Sequence, residues 1–242
     1  MSELATAHAG EVRLGLDYAA TTLFEIELAK IGARVPEPLV PVEVRPGVGL
    51  VSLTVITVAE GGVHGAHGPL PAYGEAVFCV HVEPDLAEAV PDMSILVLSF
   101  AATHERALAA NADHHDLDIW PTPIRVAIEG EAHRMHVSDA DGPIATITCA
   151  HPSPRYRERP ASLQVYTARE GLGSVRRYDE RFELRSFRHQ RRAPAAEFHE
   201  HPMFRGVPVA GLRRPYLQWL CEPGQPIVQI ATVPTRAIGA RP

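Results

Sequence analysis

The chain has 242 residues and a formal net charge of −6, from 23 basic and 29 acidic side chains. A hydrophobic share of 45% supplies a core and excludes a disordered chain, and the mild acidity argues against a nucleic-acid partner. No apolar run approaches the roughly 20 residues of a membrane span, so no membrane partner is expected either.

Residues 1–13 read as an arm without a basic, apolar leader, which predicts a cytoplasmic protein. Tyr18 to Ala33 is ambiguous: Leu23, Ile26 and Lys30 fit a helical face, whereas Phe24, Ile26 and Leu28 alternate as in a strand. The prediction is a short helix ending before Gly32. Pro36, Pro38 and Pro41 then force an extended path. Gly47 to Val58 alternates as a half-buried strand does. Residues 61–70 form a Gly/His/Pro loop, and strands are predicted over Tyr73–Val82 and Met93–Phe100. Thr103 to Asn111 is rich in Ala and Leu and predicts a helix.

Short strands follow at Ile124–Ile128, Ala132–Val137, Ile144–Cys149, Leu163–Thr167, Arg181–Phe187, Tyr216–Cys221 and Ile227–Val233. Close spacing after residue 120 predicts antiparallel meanders rather than βαβ units. The fold class is therefore mainly β with a few helices, an antiparallel barrel or sandwich.

Cys79, Cys149 and Cys221 are far apart and form no CxxC, so no zinc knuckle or disulfide framework is implied. Lys30 is the only lysine among the basic residues; the other 22 are arginine. Arginine stays protonated, so the chain has a single side-chain amine that could form an imine.

Three segments, in order, resemble acetoacetate decarboxylase and its superfamily. These are Val35-Pro36-Glu37-Pro38-Leu39, then Tyr73-Gly74-Glu75-Ala76, then His115-Asp116-Leu117-Asp118-Ile119-Trp120-Pro121-Thr122-Pro123. The last is similar to the family's Arg-Glu…aromatic-Pro-Lys-Lys stretch. The resemblance implies one domain over 14–242, an antiparallel β-barrel with a few helices and an internal pocket for a small oxo-acid, in a homo-oligomer.

One departure governs the mechanism. The family's two lysines correspond to Thr122 and Pro123. A threonine hydroxyl cannot condense with a ketone to an iminium, and proline has no free amine. The resemblance therefore implies a non-imine enzyme of lyase or isomerase type, acting on an oxo-acid or polyketide-like β-dicarbonyl. Decarboxylation, dehydration and cyclisation all fit.

Glu75, His115 and Thr122 are the candidate catalytic residues; Tyr73, Asp116 and Trp120 are the candidate substrate contacts. Glu75 would move the proton, because a buried carboxyl suits acid–base work. His115 stands where the family has arginine and is titratable. Thr122 could hydrogen-bond an oxyanion.

No cofactor is expected, and no metal: His199-x-His201 with Glu197 shares one strand face but lacks zinc spacing. Cys79 and His81 share a face and read as barrel-wall residues. The arginine-rich run from Arg176 to Arg192 reads as a solvated strand face, or an interface carrying Arg–carboxylate pairs. The alternative function is a catalytically silent protein that keeps the barrel to hold a ligand.

Overall fold

The segment from Tyr18 to Ala33 sets the architecture, and it is not a helix. In the computed structural model, β1 runs from Glu11 to Glu27, followed by two 3-10 turns at Leu28–Lys30 and Gly32–Arg34. Thr21, Thr22, Phe24 and Ile26 suit a pleated strand. Both edges of β1 are hydrogen-bonded to other strands, and those two ladders outweigh the local helical option. β1 also begins within the stretch read as an arm.

The structure describes residues 11–60, 63–64, 69–84, 91–115, 117–129, 134–148, 157–168, 175–186, 195–212, 215–221, 227–232 and 236–238. The chain continues with β2 (Val48–Val58), β3 (Val63–His64), β4 (Tyr73–His81) and β5 (Met93–Ala102). Helix α1 spans Glu105–His115. Then come β6 (Arg125–Glu129), β7 (Arg134–Ser138) and β8 (Pro143–Thr148). β9 (Arg157–Ala168) and β10 (Val175–Ser186) form a long hairpin. β11 (Ala196–Phe198), a 3-10 turn at Pro202–Phe204, β12 (Pro215–Cys221), β13 (Ile227–Thr232) and β14 (Arg236–Ile238) complete it. β3, β11 and β14 are short strands that the sequence pattern did not predict.

The large sheet closes on itself. Pairings run β1–β2–β4–β5–β9–β10–β13 and back to β1, a ring of seven strands. Closure falls at Leu16, which pairs with Val58 of β2 and Ile227 of β13. The barrel is not wholly antiparallel, because β5 and β9 run parallel over Met93–Val97 and Leu163–Thr167. β6, β7, β8 and β11 form a separate four-stranded antiparallel sheet, with the expected meander over β6–β8.

Each face of β4 belongs to a different apolar cluster. Ala76, Phe78 and Val80 pack with Met135, Val137 and Ile147 of the small sheet. Phe78 meets Phe204 edge-on at 5.0 Å, and Phe24 meets Phe198 at 5.1 Å. Tyr73 and Cys79 lie on the other face, with Leu16, Phe100 and Leu108. Even eight strands leave an interior wide enough only for side chains or one small ligand. Seven cannot enclose a second sheet, so the face under the small sheet is the outer one. The face carrying Tyr73, Glu75 and Cys79 is turned into the ring. No helix among the described residues is long and apolar enough to cross a membrane.

Candidate active site

Alternation along β4 puts Tyr73 and Glu75 on the inward face, two residues apart. Both are buried, Tyr73 at 5% and Glu75 at 4% exposure. Side-chain hydrogen bonds join the Tyr73 phenol to Glu75 and to Asn111 of α1. Asn111 is itself held, because its Nδ2 donates to the Ala107 carbonyl oxygen at 2.9 Å. Burial, then the negative charge of Glu75, keep the Tyr73 phenol protonated well above its ordinary range, against an opposing bond from Asn111. A neutral phenol bonded to a buried carboxyl is an arrangement suited to holding and passing one proton.

Glu75 pairs across the sheet with Ala102 of β5, and the Ala102 carbonyl accepts from the Ile124 backbone N–H at 3.0 Å. The segment that carries Thr122 therefore lies beside β5 at the level of Glu75, two strand spacings or roughly 10 Å away. Thr122 is half-buried. Trp120 anchors the same segment, donating from its backbone N–H to the Phe100 oxygen at 2.7 Å.

The Trp120 side chain packs against the outer apolar cluster, not the one that holds Tyr73. Its Nε1 donates to Asp139 Oδ2 at 3.3 Å, and His201 Nε2 reaches the same oxygen at 3.0 Å. The structure thus brings Tyr73 and Glu75 together and seats Trp120 with Asp139 and His201. His115 is the last residue of α1, and its side chain, like the whole of Asp116, lies outside the described residues.

Asn111 and Asp139 were missed by sequence reasoning, and His201 was weighed only as a metal ligand. Asn111 had a usable signal: it follows Ala107 and Leu108 at i+4 and i+3, a polar group on the buried stripe. Asp139 and His201 are 62 positions apart and meet only through the fold.

The other histidine expectations resolve separately. His199 Nε2 sits 4.0 Å from Glu197, while His201 turns to Asp139. No group of three metal-ligating side chains exists among the described residues. Cys79 is a buried free thiol. His81, on the same face, is buried with an unpartnered Nε2, and burial lowers its pKa to about 4.

The solvated-face reading of the arginine run fails at Arg177. Its side chain is 7% exposed and bonds Asp179 through Nε at 3.2 Å and NH2 at 3.0 Å. Arg176 does face solvent. A cleft of about 370 Å3 lies between α1 and residues 117–121, lined by Leu108, Leu117, Asp118 and Pro121 among others. None of Tyr73, Glu75, Trp120 or Thr122 lines it.

A closed seven-strand ring, a covering four-stranded sheet and an inward polar cluster define a β-barrel with a buried Tyr73–Glu75 pair on its inner face. The particular fold is that of acetoacetate decarboxylase and its structural relatives. An acetoacetate decarboxylase from Legionella pneumophila superposes with a TM-score of 0.67 at 9% identity, covering 99% of this chain and 92% of that one. The enduracididine biosynthesis enzyme MppR, complexed with pyruvate, gives 0.59 at 8% identity over 98% and 93%. An acetoacetate decarboxylase-like enzyme from Sphingomonas wittichii gives 0.55 at 11% identity over 96% and 94%. No protein-family model matches the sequence, and no curated protein matches it.

Proposed function

We propose that this protein is a small-molecule enzyme of lyase or isomerase type that works on an oxo compound by acid–base chemistry without an imine. The observation that carries this reading is the buried Tyr73–Glu75–Asn111 cluster on the inward face of β4. Glu75 takes a proton from, or returns one to, the carbon beside the substrate carbonyl. Tyr73 keeps its own proton and steadies the carboxyl through its hydrogen bond. Thr122 offers one hydrogen bond to the oxyanion that develops as the carbon loses its proton or carboxylate. His115 and Asp116 are substrate contacts in this reading, whereas Trp120, bonded to Asp139 on the outer cluster, is not.

An oxo-acid or β-dicarbonyl suits this machinery, because its own carbonyl accepts the electron pair that an iminium would otherwise take. Pyruvate bound to a protein of the same fold supports a ligand of this kind. Lys30 does not serve as an imine-forming amine: it sits outside the cluster, half-exposed and paired with Glu27 at 3.0 Å.

The test is proton NMR of the full chain with short oxo-acids and β-dicarbonyls in deuterated water. Turnover or deuterium uptake at the carbon beside the carbonyl is expected. Glu75→Gln should lower it by about a hundredfold or more. A borohydride-trapped adduct on Lys30 would overturn the non-imine route, and binding with no exchange or turnover would favour the silent ligand-holding protein. Size-exclusion chromatography with light scattering tests the proposed homo-oligomer.

A further inference from the structure

The inward face carries a second polar pair that the proposed chemistry does not use. Thr21 of β1 and Thr54 of β2 are cross-strand partners, and their hydroxyls are hydrogen-bonded at 3.0 Å. Thr54 is in turn the partner of Val77 on β4. These three residues form one row across three strands, and all three are half-buried.

The rows on either side are closed. On one side lie Ala19, Ile56 and Glu75; on the other lie Leu23, Ser52 and Cys79. All six are buried. An accessible row between two buried rows, on a face turned into a ring, is the floor of a hollow rather than an open surface. Glu75 borders that hollow. Thr54 stands diagonally across the β2–β4 ladder from it, a relation that puts their Cβ atoms about 7 Å apart.

The hydroxyl pair has spare capacity. Each hydroxyl holds one donor and two acceptor sites. When one donates to the other, one O–H and several lone pairs remain, and neither side chain has another partner among the described residues. Elsewhere on the same face, at and beyond the Cys79 row, the buried His81 Nε2 and the buried Thr167 Oγ1 also have no partner. Thr167 enters through β9, where it shares the inward face with Leu163 and Val165. The face is therefore short of hydrogen-bonding partners in several places, as expected where a ligand supplies them.

We propose that the Thr21–Thr54 pair is a second substrate subsite, binding an oxygen of a carbon chain whose reacting carbonyl lies at Glu75. The inference rests on the proposed use of Glu75 and deepens it. It selects a chain oxygenated at more than one position, of poly-β-carbonyl type, over a three- or four-carbon oxo-acid. A short oxo-acid reaches Glu75 but leaves the threonine pair unbridged.

The test compares acetoacetate with 3,5-dioxohexanoate, by calorimetric titration and ligand-observed NMR on the full chain. Wild type, Thr21→Val, Thr54→Val and the double variant are measured, with Thr21→Ser and Thr54→Ser to keep the hydroxyl. Melting curves establish that each variant folds. The valine variants should weaken the dioxo acid roughly fivefold each, the size of one neutral hydrogen bond, and leave acetoacetate unchanged. The serine variants should behave as wild type. Equal losses for both ligands, or no loss for either, would overturn the second subsite while leaving the Glu75 reading intact. Failure of both ligands to bind wild type would overturn the two together.

Discussion

Trp120 and His201 meet edge to face, with ring centroids 4.9 Å apart, and their N–H groups converge on one oxygen of Asp139. The Met203 backbone N–H donates to His201 Nδ1 at 3.2 Å, so the ring proton belongs on Nε2, where it faces the carboxylate. The other Asp139 oxygen accepts from the Asp141 N–H at 2.9 Å. Burial pushes the Asp139 carboxyl up, but these bonds and the neighbouring histidine outweigh it and leave the group below its ordinary range. An ion pair between Arg205 and Asp118 ties the same two segments together.

Breaking this latch should be costly. Asp139→Ala leaves two buried N–H donors without an acceptor, and the expected loss is about 2–4 kcal/mol in urea unfolding. His201→Phe keeps the edge contact and one donor's partner, so a smaller loss is expected. Unfolding curves for D139A that superpose on wild type would remove the latch from the account.

His81 gives a pH dependence of known sign. Its folded value is about 4 against an ordinary 6.5, because burial disfavours the charged ring. Between those values the unfolded chain binds a proton that the folded chain does not. Stability is therefore complete above pH 6.5, falls as pH drops toward 4, and levels off below. The full swing is about 3 kcal/mol. His81→Leu should flatten denaturant midpoints measured from pH 7 to 4.5. A wild-type slope in the variant would contradict a buried neutral ring.

Tyr73 carries the opposite sign. A free tyrosine ionises near pH 10, whereas Tyr73 is held protonated well above that by burial and by Glu75. Its contribution is present below pH 10 and is lost as the solution becomes more alkaline. Spectrophotometric titration at high pH should show the same number of ionising phenols in wild type and Tyr73→Phe until the protein unfolds. The phenylalanine variant should also lose about 1–2 kcal/mol, because Glu75 and Asn111 each lose a partner.

Gly74 lets the two layers touch. A Cβ there would stand 3.0 Å from Val126 Cβ and 3.2 Å from Thr103 Cγ2. Gly74→Ala should cost about 1–3 kcal/mol by overpacking. Val126→Ala should relieve part of that, giving a coupling of at least about 0.5 kcal/mol in a double-mutant cycle. Additive costs would mean that the sheets do not meet at this point.

Much of the fold was legible because a strand writes its two faces into the sequence at period two. β2 was found that way, whereas Tyr73 and Glu75 were singled out by their resemblance to the Tyr-x-Glu motif of the acetoacetate decarboxylase family. β1 was misread because Leu23, Ile26 and Lys30 satisfy both periods, and only its partners on each side decide between them. Arg177 departs from the solvated-face reading for a related reason, while its bond to Asp179 is an Arg–carboxylate pair such as the other reading expected. Alternation marks which residues share a face, not which face is covered. The Asp139–His201 contact had no local signature, since each residue sits in a turn region that the fold alone brings to the other.

The long first strand also constrains how the molecule is made. Glu11 pairs with Thr232, a partner about 220 positions later. During biosynthesis the nascent β1 must wait, with one ladder unmade, until β13 has left the ribosome. Contacts this distant in sequence slow folding and prolong the exposure of bare strand edges. A ribosome stalled before residue 227 would release a chain unable to shut its own seam.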